Sequence, residues 1–447
     1  MQTTGLESIT RTQLPKIQPD GDGFDERVCT EDKYRSLMSE NRKLGRLVSY
    51  VGNKSLPILR LYRFKEAFSL GLVNHFLDEF KATSNDFVFD PFAGMGTALF
   101  GGMLRGLPSL GVDRLPVAAF VARTLPRFLL LEPGSMASTF GRLETVVDRV
   151  EPASVADDVS IIRIAFERPY LTRLLKWKAA IDTLPTPYNE LFTVLLLSVL
   201  ESTSYASNDG QFLRLKPHKK LMAPDEALLR KVLLAEADLI AIQHMWFDRR
   251  RYTGNLPVIR EGDARDLGDI EFPKEPTIII TSPPYPNRYD YSRSYCLELC
   301  FRFVKSFEEL KAVRFGILRS HIESRAEEGD RPCHPAIAEV VRNLRGRELN
   351  NPRIPIMLTA YFVDMEKCIR EWSRVLASGA RVAMVVDNVR FEGQVVPVDL
   401  VLCDIAERYG FCVDEVVIAR YKGNSSQQMG RYGRIPVRES IVLWRKP

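Results

Sequence analysis

The chain has 447 residues, a length for two or three domains at roughly 150 residues each. Its 62 Lys and Arg against 57 Asp and Glu leave a net charge of +5, too small for a protein that binds polyanions by charge alone in the manner of a histone. Hydrophobic residues at 45% and charged residues at 27% describe a folded chain with a sizeable core and exclude disorder over most of its length.

The seven cysteines are odd in number and lack the paired spacing of a disulfide framework, so the expected compartment is the reducing cytoplasm. The first 29 residues have no apolar run after a basic start and do not form a signal peptide. The longest apolar stretch, LFTVLLLSVL at 191–200, is far below the roughly 20 residues that cross a bilayer and reads as a buried helix.

In chain order, residues 1–49 read as a polar, irregular arm, weakly helical over 32–48. A helix follows in which Leu72, Phe76 and Phe80 recur at four-residue steps. A short strand at Phe87 to Phe89 then enters a glycine loop, a helix follows, and the strand PSLGVD at 108–113 ends on an acid. This β–loop–α–β order opens a doubly wound, Rossmann-like α/β sheet. Residues 120–254 interrupt it with a helical insertion, reading as helices at 162–182, 188–203 and 224–247. The stretch SYASNDGQFLRLKPHKK within that insertion reads as a basic loop. Strands resume at 256–267 and at PTIIITSPPY, a continuous β-branched run suited to a buried central strand. Residues 289–318 read as helical and 319–355 as a charged loop. A helix near 361–376, a strand after Gly379, a helix at 397–409, a strand at 412–421 and ESIVLW complete the chain. The expected division is an arm (1–49), a first core segment (50–119), the insertion (120–254) and a second core segment (255–447), with an excursion at about 305–357.

Two segments carry the chemistry. In Asp90-Pro91-Phe92-Ala93-Gly94-Met95-Gly96-Thr97, glycines after a strand let the backbone approach a ligand, and the next helix offers free N–H groups. By itself the loop reads more readily as a plain tight turn than as a nucleotide-like ligand site. Asp113 is placed either to accept from ribose hydroxyls or to cap the helix before Pro116. The second segment, Thr281-Ser282-Pro283-Pro284-Tyr285, ends a buried strand, where α/β sheets hold ligands. Two prolines remove two donors and stiffen the corner, so its carbonyls can be aimed at a substrate donor. A hydroxyl and a ring beside them suit a flat, amino-bearing heterocycle. The competing reading is a cis-proline turn.

Together these segments resemble the amino-methyltransferases of DNA, with their F-x-G-x-G cofactor loop and [S/D/N]-P-P-[Y/F] catalytic motif. The serine form, here Ser282-Pro283-Pro284-Tyr285, is similar to the cytosine-N4 members. YRFKEAFSLGLV at 62–73 resembles the segment that holds the methionine end of the cofactor, which implicates Lys65, Phe68 and Ser69. EGDARDL at 261–267 resembles the segment beside the adenine, here Asp263 with Ala264. The likeness covers roughly 50–115 and 256–447. It implies S-adenosylmethionine bound by these residues with Asp90, Pro91, Phe92, Gly94, Gly96, Thr97 and Asp113, and catalysis by the 282–285 corner. It also implies duplex DNA with the target base flipped out, and a restriction–modification system with a cognate endonuclease.

Three alternatives stand beside cytosine N4: adenine N6 of DNA, an RNA amino group, and a cofactor-binding regulator without catalysis. A thiolate attack on cytosine would need a Cys after proline, and Pro332-Cys333 has no strand before it. Cys296, Cys300, His321, Cys333 and His334 lack zinc-site spacing, so no metal is expected. Contacts to DNA are expected from Arg214, Lys216, Lys219 and Lys220, from Arg319, Ser320 and His321, or from GNSSQQMGRYGR at 423–434.

Overall fold

The structure, a computed structural model, describes residues 14–17, 25–209, 212–245, 254–423, 430, 433 and 435–447. Among them run β1 (Met38–Glu40), β2 (Val88–Asp90), β3 (Ser109–Asp113), β4 (Ala206–Asp209), β5 (Phe212–Leu215) and β6 (Val258–Glu261). Further along come β7 (Ile278–Thr281), β8 (Arg381–Asp387), β9 (Val389–Phe391), β10 (Gln394–Val396), β11 (Cys412–Lys422) and β12 (Val437–Arg445). The described residues form two compact units. A central unit is built from 49–264 and 289–317, and a terminal unit from 1–48, 265–288 and 318–447.

In the central unit β3 lies between β2 and β6, all parallel, with Asp90 beside Gly111 and Asp113 beside Glu261. Parallel pairing brings the loops that leave these three strands to one edge, where α/β sheets bind ligands. Helix Leu70–Glu79 precedes β2 and buries Leu72, Val73 and Phe76, the stripe its sequence spacing predicts. Helices Thr97–Leu104 and Pro116–Thr124 follow β2 and β3. Between β3 and β6 the chain is chiefly helical: Ser135–Val146, Ser160–Ala165, Arg168–Asp182, Tyr188–Val199 and Pro224–Met245.

The terminal unit orders its strands β1, β11, β12, β8, β7. β7 is parallel to β8 and β1 to β11, while β12 runs antiparallel to both of its neighbours. Ile278, Ile279 and Ile280 are fully buried, as their continuous β-branched run predicts. The protein has the doubly wound, Rossmann-like α/β fold interrupted by a helical insertion. None of the described helices is long and apolar enough to cross a membrane.

Four elements differ from the sequence reading. The basic loop of the insertion contains the hairpin β4–β5. The charged stretch 319–355 contains helix Pro335–Arg345, started by His334, whose Nδ1 accepts from Ala336 N at 3.1 Å. Within 32–48 the chain forms β1, three residues too short to show an alternating pattern, and its partner β11 is nearly 380 positions away. The hairpin β9–β10 turns at Glu392 (φ 42°) and Gly393 (φ 85°), both left-handed as a primed two-residue turn requires.

Helix Glu26–Tyr34 is tied down by buried ion pairs. Arg27 Nε lies 2.6 Å from Glu339 Oε1, and Arg438 bridges Asp399 at 2.7 Å and Glu31 at 3.2 Å. Removing one partner of such a pair costs about 3–5 kcal/mol, because a charge is left buried alone.

Candidate active site

The cofactor candidates gather in the central unit. Asp90 is buried and its Oδ1 accepts from Phe92 N at 3.1 Å, which turns the chain sharply out of β2. Gly94 (φ 52°) and Gly96 (φ 80°) follow in left-handed conformation. A Cβ on Gly96 would sit 3.0 Å from Ala122 Cβ and 3.2 Å from Ala122 Cα, so the helix after β3 packs directly on the loop. Gly96→Ala is therefore expected to lower stability by about 1–3 kcal/mol, read as a fall in melting temperature. An unchanged melting temperature would show that the loop adopts another path.

Asp113 closes the loop from the next strand. Its Oδ2 accepts from Gly94 N at 2.7 Å and its Oδ1 from Leu115 N at 2.8 Å, while Gly262 N donates to its backbone carbonyl at 3.1 Å. One side chain thus fixes the glycine loop, and its backbone fixes the turn leading to Asp263 and Ala264. Burial raises the Asp113 carboxyl to about 6, against the lowering effect of the Leu115 and Gly94 hydrogen bonds. Asp263 is half-buried and Ala264 buried at the end of β6.

The segment 62–69 borders this loop through Phe64, which a Cβ on Gly94 would meet at 3.3 Å and which stacks on Tyr295 at 4.8 Å. Phe68 and Ser69 are buried, and Phe92 is half-buried. Lys65 turns its ammonium to the carbonyl of Asn208 in β4. Two residues here escaped sequence reasoning. Asn53 donates to Phe68 O at 3.0 Å and accepts from Leu70 N at 2.8 Å, bracketing Ser69. Phe64 anchors the segment on Tyr295. Neither carries a local sequence signal, because both act through long-range contacts.

The catalytic candidates lie in the terminal unit, directly after β7. The peptide bonds into Pro283 and Pro284 are trans, which removes the cis-proline reading. Ser282 Oγ and Tyr285 Oη are 3.0 Å apart, so the phenol orients the hydroxyl. Pro283 is buried, while Ser282, Pro284 and Tyr285 are half-buried. Lys422 Nζ lies 5.8 Å from the Tyr285 ring centre and pairs with Asp387 at 3.0 Å and Glu439 at 2.7 Å. Burial raises the Asp387 carboxyl to about 7 despite Lys422. Asp387 ends β8 as Asp113 ends β3, a strand-terminal acid visible in the sequence but outside both motifs.

Other candidates fare differently. Arg319 and His321 are corrected: they are 4% and 1% exposed, and Arg319 is locked to Asp364 and Asp330, each at 2.6 Å. A guanidinium held by two carboxylates in the interior does not reach a phosphate. Ser320 is equally buried. Arg214, Lys216 and Lys220 are exposed on and after β5, whereas the Lys219 ammonium donates to Ala206 O at 2.6 Å and pins the hairpin. Apart from residues 423, 430 and 433, the 423–434 segment lies outside the described residues. Burial pushes the Cys333 thiol up to about 12, so it stays protonated and is no nucleophile near neutral pH. Cys296 and Cys300 are buried with their sulfurs 3.9 Å apart. Among the described residues no group of three His, Cys, Asp or Glu side chains is arranged to hold a metal ion.

The chain is 31% identical to the Type II methyltransferase M.BsoBI of Geobacillus stearothermophilus, over 94% of its own length and 92% of that protein's. It is also 31% identical to the Type II methyltransferase M.AvaI of Nostoc sp., over 98% of both chains. This chain belongs to the Type II DNA methyltransferases. No family model matches it. Among solved structures, TrmN of Thermus thermophilus aligns at 11% identity over 85% of this chain and 49% of that one, with a TM-score of 0.26. The rRNA methyltransferase aviRa of Streptomyces viridochromogenes aligns at 13% identity over 91% and 94%, with a TM-score of 0.30.

As a Type II DNA methyltransferase the protein takes its methyl group from S-adenosylmethionine and acts within DNA methylation and restriction–modification. The central unit has the chemistry to hold that cofactor. Its glycine backbone is open to close approach, a carboxylate ends β3, and the buried Thr97 Oγ1 has no hydrogen-bond partner among the described residues. That hydroxyl stands at the start of helix Thr97–Leu104, where free N–H groups favour an anion such as the methionine carboxylate.

Proposed function

We propose that this enzyme methylates the N4 amino group of cytosine in duplex DNA, with the base flipped out, as the modification half of a restriction–modification system in the cytoplasm. The observation that carries the reading is the Ser282–Tyr285 hydroxyl pair in a proline-stiffened corner at the end of β7. The cognate endonuclease is a functional partner, defined by its shared target sequence.

Cytosine N4 is a weak nucleophile because its lone pair is spread into the ring. S-adenosylmethionine supplies a methyl group activated by its sulfonium charge. The chain's role is to exclude water and hold the nitrogen in line. Ser282 Oγ and the Pro283 carbonyl accept the two amino hydrogens, which draws the nitrogen toward a tetrahedral shape and meets the positive charge that grows on it with oxygens. Tyr285 stacks on the flipped base. Asp113 accepts from the ribose hydroxyls, Asp263 and Ala264 border the adenine, and the loop Asp90 to Thr97 with Phe68 and Ser69 holds the methionine end. Phe68 or Phe92 faces the sulfonium. Lys65 is placed in this set by resemblance, and its bond to Asn208 marks it as a support for the segment. The exposed Arg214, Lys216 and Lys220 make the insertion the candidate for contacting phosphates.

The same corner accepts an adenine amino group, which keeps adenine N6 as the second reading. Incubation with methyl-labelled cofactor and mixed-sequence DNA, followed by digestion to nucleosides and mass spectrometry, is expected to yield N4-methylcytosine. N6-methyladenine would retain the site and reassign the base. Label on RNA alone would redirect the substrate. Absence of label with cofactor still bound would favour a regulator.

A further inference from the structure

The central unit contains a cavity of about 260 Å³ that the proposed reaction does not use, walled by Tyr50, Lys54, Arg60, Tyr62, Arg63 and Lys231. Among the described residues its wall carries four cations and no acidic side chain. Asp238, fully buried, accounts for one of the cations: it accepts from Arg60 Nε at 2.8 Å and from Ile58 N at 2.7 Å. Lys54, Arg63 and Lys231 form no ion pair among the described residues. Lys54 and Arg63 are exposed and need none. Lys231 is half-buried, its ammonium donates to Leu61 O at 3.0 Å, and burial pushes it down to about 8 against the raising effect of Asp238. A cation withdrawn from water onto a neutral carbonyl lacks the counter-charge that burial ordinarily requires.

Tyr50 adds a neutral donor. Its hydroxyl is buried and has no hydrogen-bond partner among the described residues. Lys54 Nζ lies 5.1 Å from the Tyr50 ring centre and the Arg63 guanidinium 5.7 Å, so one ring gathers both cations at the pocket. The backbone beside them is strained. Ile58, buried and β-branched, has φ 66°, a left-handed conformation that Asp238 holds through the Ile58 N–H. Strain of this kind gathers at ligand sites. The donors come from the 3-10 helix Tyr50–Ser55, from residues 60–63 and from helix Pro224–Met245. A carboxylate presents two oxygens in one plane, whereas phosphate oxygens point tetrahedrally and meet donors arriving from several segments. A guanidinium fork also fits them in geometry as well as charge. Asn53, on the same wall, brackets Ser69, so the pocket shares a residue with the proposed cofactor segment.

We propose that this pocket binds a phosphate group, with Lys54, Arg63 and Lys231 as its cationic ligands and the Tyr50 hydroxyl as a neutral donor. The group comes either from the backbone of the DNA substrate or from free phosphate, and the wall offers the same chemistry to both. The proposal does not depend on the assignment of residues 282–285 to the target base.

Calorimetric titration with inorganic phosphate and the salt dependence of binding to mixed-sequence duplex DNA distinguish the two sources. Lys54→Gln with Arg63→Gln, both at exposed positions, and Lys231→Met separately, are expected to weaken the binding roughly tenfold. With free phosphate as the source, phosphate affinity falls in these variants and the slope of log DNA affinity against log salt is unchanged. With DNA as the source, that slope falls by about 0.9 for the phosphate no longer neutralised. Tyr50→Phe changes no charge and should weaken the same binding several-fold. A loss confined to the charge variants is general screening and overturns the proposal. Folded variants that match the unaltered protein in both phosphate affinity and DNA slope overturn it as well. Melting temperatures establish that the variants fold, and if Lys231→Met does not, the exposed double variant and Tyr50→Phe decide. None of these readings depends on which base is labelled, so failure of the cytosine reading is distinguishable from failure of this one.

Discussion

Tyr285→Ala should lower the methylation rate about 30- to 1000-fold and leave cofactor affinity nearly unchanged. Two effects combine. The base loses its stacking partner, worth about 1–3 kcal/mol. Ser282 Oγ also loses the phenol 3.0 Å away that orients it, a hydrogen bond worth about 1 kcal/mol. At 1.36 kcal/mol for each factor of ten, the sum is roughly 30- to 1000-fold in rate. The hydrogen bonds that fix the proposed cofactor loop come from Asp113 and not from Tyr285, so calorimetry with S-adenosylmethionine should register little change. Tyr285→Phe keeps the ring and loses only the hydroxyl interaction, so its defect should be about tenfold or less. Equal loss of cofactor affinity and rate in Tyr285→Ala would sink the assignment of this residue to the base.

Asp113→Ala should show the reverse pattern, with cofactor affinity reduced ~10²- to 10³-fold. A hydrogen bond to a charged acceptor is worth about 1.5–3 kcal/mol. The substitution also frees Gly94 N and Leu115 N, the two donors through which Asp113 fixes the glycine loop. Asp113→Asn retains one acceptor oxygen and should recover some of the affinity. The pH dependence gives an independent check. The carboxyl titrates near 6 in the folded protein, raised chiefly by burial. Above that pH it is an ionised acceptor, so cofactor affinity should fall as pH drops through about 6. Stability without cofactor moves the other way. A carboxyl whose folded value is raised contributes stability that is present below its unfolded value near 4 and lost as pH rises through about 6. Affinity measured from pH 5 to 8 that stays flat in the unaltered protein, or that bends equally in Asp113→Asn, would refute the ribose role.

The sequence alone determined those features of this protein whose signal is local. The β-branched run before Ser282 must be buried on both faces, and it is. Phe76 follows Leu72 by four residues and shares its buried helix face. Gly94 and Gly96 mark a backbone that only glycine adopts without strain, and both have positive φ. From such features the α/β class follows, because propensity and periodicity act over a few residues, while the family resemblance rests on the motifs at 90–97 and 282–285.

Tertiary structure decided what depends on partners distant in the chain. Lys65 and Lys219 read as available cations, yet both are committed to backbone carbonyls of β4. Arg319 reads as a DNA contact until Asp364, 45 positions later, claims it in the interior. β1 exists because β11 pairs with it. A single charged residue carries no sign in its neighbours of whether it faces water, a carboxylate or a ligand. That choice is made by desolvation and by which groups the fold brings within about 4 Å, and no local pattern encodes it.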